Sequence, residues 1–590
     1  MSAFFLLALL LAAVTITVRS GEGVLDTLPF ATGCGILLLY LLAFFGALPL
    51  AGWISCAVLA GGCLFLLIRK RTGRNTFAWC RDPQLWLVMG LLVSAAALTA
   101  GRVVVWWDDL NFWANDAKFL WYMGGFAGKY GNVSPEFGDY PPAQALWKWV
   151  FLSLSPHTYR EGLQYSAYHV LNMIFLLPLI AVTGRMCRPA VRMLTPPVVF
   201  LLPGAVCGLQ YTGAAADITM GCVFGTMLID MTEIRRLEKE SPGGPGTLFR
   251  YARVAVCGAV LVLLKSVGFL WALIALFYWF FVCGGDHLRT KLFTAILPVI
   301  TLGSWGSFCL INRRVAKLTG EGLRMARNGL PIPENAGERM RIFAEAFFRW
   351  PMHEDKNPLL DFSTGAWLGV LIISIVILMA SERFQNGKGK MFYGRMLLWL
   401  TASCGIVYGG ILLAHFTVFQ TEDQYLQPYN MSLSLSRYGA PLTLGTAMLL
   451  LFLAIRIGTD GKRRRAERMA AILTFLLLPV LAADYAGELR AFVTWRVTAA
   501  ADRQVREVTI DPEGRRFLQA MAEREDLHGR RVLFLRNTAA EHRVKDTYIS
   551  YEACPVAVVY GDADPAMDDA AIDAARETAH ATEVYIDAWH

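Results

Sequence analysis

The chain has 590 residues, of which 55% are hydrophobic and 17% charged, and its mean hydropathy is +0.43. Soluble domains carry about 25% charged residues, so the composition excludes an ordinary soluble enzyme and indicates a polytopic membrane protein. The net charge of +8 comes from short basic clusters between apolar runs. That argues against a nucleic-acid partner, which needs one continuous basic face, and for basic loops held in the cytoplasm.

A membrane helix needs about 20 apolar residues. In chain order the candidate spans are roughly 2–18, 31–50, 52–68, 84–104, 163–184, 194–212, 214–231, 252–265, 268–284, 292–312, 365–382, 396–418, 439–456 and 468–486. The first reads as a helix; a cleaved signal peptide is the alternative, although no A-x-A-like site follows Arg19 convincingly. Basic clusters at Arg69–Arg74, Arg185–Arg192, Arg235–Arg253 and Lys462–Arg465 fall on one side, which the charge rule makes cytoplasmic. The loops 105–162, 313–364 and 419–438 and the tail from 487 then fall outside. The segment AQALWKWVFLSLS (143–155) is too short to span and suits an interfacial or re-entrant helix. In the tail, RRVLFLRN and PVAVVYGD have strand composition and alternate with PEGRRFLQAMAERE and DDAAIDAARETA, which read as helices. The expected organisation is therefore three: N-terminal helices 1–83, a transmembrane core 84–486 and a small extracytoplasmic α/β domain 487–590. The twelve cysteines lie mostly in apolar segments and read as core residues. Neither tandem nor inverted repeats are visible.

Three groups of residues are candidates for chemistry. The first outer loop carries Asp108, Asp109 and Asp116 in GRVVVWWDDLNFWANDAK, followed by FGDYPPAQ with Tyr140 and Pro141. Carboxylates against a membrane are costly unless used; a general base, with a divalent metal at Asp108 and Asp109 left open, is one reading, and a solvated interfacial loop is the other. Were the loop helical, Asp109 and Asp116 would share a face and Asp108 would point elsewhere. The loop's aromatics, Trp106, Trp107, Phe112 and Trp113 among them, suit an interfacial belt. The second group is Asp217 at the start of a helix and Lys265 in VLLKSVGF, either a structural pair or an anion site. The third is Arg437–Tyr438 before a late span, where arginine suits phosphate recognition or anchors a helix end. His353, Glu354 and Asp355 read as a solvated turn, with metal binding as the alternative.

The order of these features resembles the GT-C glycosyltransferases, in the branch of the aminoarabinose and protein mannosyl transferases: a paired acid after an early span, a Tyr-Pro-Pro corner, an Asp at an outer helix start, Lys-x-x-Gly (Lys265–Gly268), then Arg437–Tyr438. The resemblance covers roughly 84–456. It implies an all-α membrane enzyme of about 13–14 spans that transfers a sugar from a polyprenyl-phosphate donor to a glycan, lipid or protein acceptor of the cell envelope, on the extracytoplasmic face of the inner membrane. By position it implies Asp108 as the base, supported by Asp109, with Lys265 and Arg437 on the donor phosphate and Asp116, Tyr140, Pro141, Asp217 and Tyr438 around the substrates. Relatives often have Glu where this chain has Asp109. Alternatives are an O-antigen ligase or polymerase, a lipid-linked glycan flippase or transporter, and a structural envelope protein with a degenerate site.

Overall fold

The structure is a computed structural model. It describes all residues except 1, 72–77, 135–136, 187–188, 285–286, 315–316, 330–331, 354–357, 384–387, 460–475, 537–542, 565 and 588–590. Helices α1 (Ser2–Ser20), α2 (Val24–Phe44), α3 (Ala51–Arg71) and α4 (Pro83–Thr99) open the chain, and the short α5 (Asn115–Met123) and α6 (Ala143–Leu152) follow. Then come α7 (Leu163–Met186), α8 (Pro189–Val206), α9 (Ala216–Glu240), α10 (Pro245–Val262), α11 (Gly268–Phe281) and α12 (Leu288–Ile311). The last group is α13 (Lys317–Asn328), α14 (Ala336–Arg349), α15 (Thr364–Arg383), α16 (Lys388–Phe416) and α17 (Pro428–Thr459). Among the described residues, nine helices are long and apolar enough to cross a membrane, and three shorter apolar ones lie at Pro83–Thr99, Gly268–Phe281 and Thr364–Ala380. The protein is an all-α polytopic membrane protein. Of the expected span 468–486, residues 476–482 are helical, and the cluster Lys462–Arg465 lies outside the described residues.

Burial sorts these helices. In α7 and α17, 89% and 94% of the apolar window is inside the protein, against 22% in α12; α12 instead exposes Phe293, Leu310 and Ile311, as a lipid-facing helix must. Helix α9 packs along α17 through small residues: Gly221 lies against Leu444, and Gly225 against Met448, with no room for a Cβ. Such seams let membrane helices approach closely.

Polar contacts divide the molecule into two faces. On one, Arg250 donates to Asp230 (2.7 Å) and Glu22 (3.3 Å), Arg253 to Asp230, and Arg456 to Glu233, tying α2, α9, α10 and α17 together. The Arg235–Arg253 cluster is therefore partly buried and ion-paired rather than wholly a solvated loop. Buried Asp26 lies in the same network, which is why α2 begins at Val24 and not at 31. On the opposite face the loops expected outside gather: Arg339 donates to the Gln420 carbonyl (2.6 Å), Ser432 to that of Pro351 (2.8 Å), and His353 bonds Gly204 O (2.8 Å). Helix α6 lies on this side and departs from the interfacial expectation, though not from the re-entrant one. All ten of its residues are buried, with the Ala143 amide on Leu263 O (2.8 Å) and the Trp147 indole on Ala167 O (2.8 Å). Protein, not an interface, surrounds it.

The tail forms a three-stranded parallel sheet of β1 (Arg531–Arg536), β2 (Ala557–Asp562) and β3 (Glu583–Ile586) in the order β2-β1-β3, with Phe534 opposite both Tyr560 and Tyr585. Helices Pro512–Ala522 and Asp569–Ala579 match the expected patterns; helices Trp495–Thr509 and Arg543–Ala553 and strand β3 are additional. This domain sits on the loop 105–162. Lys118 donates to Tyr551 O (2.6 Å), Tyr159 and Tyr551 share a hydroxyl contact (2.7 Å), and Arg506 pairs with Glu161 (2.9 Å) and Glu552 (2.6 Å).

Candidate functional site

The site begins where α4 stops. Residues Asp109–Trp113 form a single π turn, closed by Ala114 N–H on Asp109 O (2.8 Å). One extra residue in a turn re-aims the side chains around it, and such turns are frequent at functional sites. Here it separates the two acids. Asp109 points inward and is buried, accepting from the Tyr165 hydroxyl (3.1 Å) and the Ala214 amide (3.2 Å). Asp108 points the other way, into a cavity of about 680 Å³, where it pairs with Arg437.

The sequence-derived charges meet in that cavity. Arg437, from the third turn of the long helix α17, binds Asp108 through Nη2 and Asp217 through Nε (3.3 Å). Asp217, in the first turn of α9, also accepts both contacts from Lys265 Nζ (2.8 and 3.0 Å). The result is a continuous chain, Asp108–Arg437–Asp217–Lys265, of two acids and two cations. Aromatic rings shield it. Trp106 lies 4.7 Å from the Arg437 guanidinium, and Tyr438 lies 4.8 Å from Lys265.

Local structure explains the spacing. Lys265 occupies the break between α10 and α11, so its ammonium leaves the apolar helices at their joint. Gly268 completes Lys-x-x-Gly because the Leu261 carbonyl stands where a Cβ would go. The Tyr-Pro-Pro corner feeds α6 into the same break through the Ala143 bond to Leu263 O. Tyr140 lines the cavity, stacked on Trp113 at 5.1 Å. The far wall is apolar, from Val267, Leu270 and Trp271 of the α10–α11 joint and α11 and from Val407, Ile411 and Ala414 of α16.

Other expected site residues lie elsewhere. Asp109, Asp116 and Pro141 do not line the cavity. Asp116 accepts from Ser134 (3.0 Å) beneath it, and burial lifts its carboxyl to about 6 despite Arg314. Burial likewise raises Asp109, with Lys148 opposing. The carboxylates of Asp108 and Asp109 diverge, so this arrangement gives them no common metal. Among the described residues no group of three or more His, Cys, Asp or Glu gathers for a metal. His353 has both ring nitrogens engaged, by Asp361 (2.7 Å) and Gly204 O, and is not a solvated turn; Glu354 and Asp355 lie outside the described residues.

Three contributions escaped the sequence. Lys148 of α6 is buried beneath the π turn, donates to Trp113 O (2.9 Å) and faces Asp109 and Asp116; burial lowers its ammonium to about 8. A lone lysine in a tryptophan-rich apolar helix was the available signal. Trp106 and Trp107 meet the guanidinium groups of Arg437 and Arg543, and Phe112 and Trp113 are buried. Arg543 and Val544 bring the C-terminal domain into the cavity wall, across a distance in sequence that no motif reports.

No protein-family model matches the chain, and no curated sequence matches it. Among solved structures it is similar to the crystal structure of ArnT from Cupriavidus metallidurans bound to undecaprenyl phosphate, with 12% identity and a TM-score of 0.42 over 81% of this chain and 86% of that one. A likeness at that level assigns no family, and the functional reading rests on the geometry above.

Proposed function

We propose that this protein is a GT-C-type membrane glycosyltransferase that moves a sugar from a polyprenyl-phosphate donor to a hydroxyl of a cell-envelope acceptor, on the extracytoplasmic face of the inner membrane. The observation that carries this reading is the ion chain Asp108–Arg437–Asp217–Lys265 at the head of an apolar-walled cavity. A donor of this class has an apolar tail and a phosphate head, and the cavity has one wall for each. Arginine and lysine in a site shielded from water stabilise the charge that gathers on a departing phosphate. When the donor phosphate takes up Arg437, Asp108 is released toward the acceptor.

The step balances on these residues. Asp108 accepts the proton of the acceptor hydroxyl; the oxygen forms a bond to the anomeric carbon; the bond from that carbon to the phosphate oxygen breaks, and its electron pair leaves with the polyprenyl phosphate. Lys265 and Arg437 hold that phosphate. Asp217 orients both cations, and Asp109, turned inward, supports the turn that presents Asp108.

The test is transfer of radiolabel from undecaprenyl-phosphate-linked sugars to envelope material by membranes containing the full chain. The wild type transfers label and Asp108→Asn does not. Transfer at full rate by Asp108→Asn, or none by the wild type with any lipid-linked sugar, overturns the reading.

A further inference from the structure

Two consecutive tryptophans precede Asp108, and each faces a guanidinium. Trp106 meets Arg437 at 4.7 Å and Trp107 meets Arg543 at 5.2 Å. Trp106 ends the irregular segment and Trp107 opens the turn, and the two rings meet two different cations. Their surroundings differ. Arg437 is buried and paired with Asp108 and Asp217. Arg543, the first residue of helix Arg543–Ala553, is exposed, lines the same cavity and has no carboxylate partner among the described residues.

The other two cations of the cavity are paired. Asp108 and Asp217 are held by Arg437 and Lys265, while Glu422 on the lining accepts from the neutral Gln424 amide (2.9 Å) and keeps its charge. Arg543 is thus the cavity cation whose charge no described side chain neutralises. A guanidinium lying on an indole keeps its in-plane N–H groups free, and their fork matches an oxyanion with two parallel hydrogen bonds. A buried, pre-paired arginine deep in the cavity and an exposed one at its edge, unpaired among the described residues, suit two different anions.

We infer that Arg543, seated on Trp107, is the recognition point for an acidic group on the acceptor, so that the C-terminal domain selects sugar-bearing molecules carrying a phosphate or carboxylate and presents their hydroxyl to Asp108. This rests on the glycosyltransferase reading, in which Arg437 and Lys265 serve the donor.

The experiment uses the full chain in lipid nanodiscs preloaded with undecaprenyl phosphate. Glucose 6-phosphate, glucuronate and glucose are titrated in, and binding is followed by saturation-transfer NMR. The wild type should bind at least one acidic sugar about ten-fold more tightly than glucose, as expected for a charge-assisted fork. Which acid is preferred separates phosphate from carboxylate as the natural group. Arg543→Ala should lose the preference, and Arg543→Lys, which keeps the charge without the fork, should fall between. Affinity for undecaprenyl phosphate should be the same in all three proteins. The inference is overturned if Arg543→Ala retains the acidic preference or if the wild type has none. Failure of undecaprenyl phosphate to bind the wild type counts against the glycosyltransferase reading, while the comparison of acidic sugars with glucose still decides the role of Arg543.

Discussion

At the scale of single residues, Arg437 is already paired with Asp108 and Asp217, and on the proposed function a donor phosphate competes with Asp108 for that guanidinium. Asp108→Asn should therefore separate two quantities: turnover falls by about 10²–10⁴-fold, the usual loss of a general base, while undecaprenyl phosphate binds more tightly because Arg437 loses its internal partner. Kinetics and binding on one preparation check both. Beneath it, burial raises the Asp116 carboxyl from 3.8 to about 6. A raised carboxyl favours the folded state fully below its unfolded value, and the advantage is lost as pH climbs through about 6. Asp116→Asn removes the cost of burying the ionised form. Its gain in stability over wild type should thus be larger at pH 8 than at pH 5, by about 1.4 kcal/mol, read from thermal unfolding midpoints in one detergent. Asp108, Lys265 and Arg437 are legible in the sequence because charges at apolar borders stand out against their surroundings. The separate fates of Asp108 and Asp109 are less so: they depend on a π turn, and its backbone geometry leaves no compositional mark. Lys148 is hidden for the opposite reason, as one lysine in a short helix whose burial only the surrounding protein creates.

Among elements, the seam between α9 and α17 governs the site. Asp217 opens α9 and Arg437 lies near the start of α17, so their 3.3 Å contact depends on how closely those helices pack one to two turns deeper. Gly225→Leu would force Met448 aside. Overpacking of this kind costs about 1–3 kcal/mol, and the displaced pair should weaken undecaprenyl phosphate binding although no cavity residue has changed. Titration of the purified variant checks this. The docking of the C-terminal domain gives a second case. Arg506 pairs with Glu161 and Glu552 and also reaches Val104 O, in the segment that leads into the Asp108 turn. Arg506→Ala should cost about 3–5 kcal/mol of local stability, as loss of one partner of a buried ion pair does. Hydrogen exchange at residues 104–116 should accelerate accordingly. Helix positions are largely readable from apolar runs, since hydropathy reports lipid and core alike. Their ends are not: α2 starts seven residues early because Asp26 has buried arginines opposite it, and α6 is internal because helices α1, α2, α5 and α7 pack around it.

For the whole molecule, polar contacts gather on two opposite faces, one with the Arg250–Asp230–Glu233 network and one with the cavity and the sheet domain. The charge rule makes the first cytoplasmic. Asp573→Cys on the sheet domain should then react with a membrane-impermeant maleimide in intact cells, whereas Lys239→Cys at the end of α9 should react only after lysis. The polytopic class and the α/β tail can be read from composition and period. That the tail closes over the first loop and supplies Arg543 cannot, because contacts between residues some four hundred positions apart are set by the fold and not by local pattern. The central claim is that the cavity holds a polyprenyl phosphate, head at Arg437 and Lys265, tail along α11 and α16. The most direct measurement is photo-crosslinking with a benzophenone-bearing polyprenyl phosphate, read by mass spectrometry. Label should fall on the wall formed by Leu270, Val407 and Ile411, and Arg437→Ala should abolish it. Label confined to the outer surfaces of α3 or α12, or undiminished in Arg437→Ala, would contradict the account.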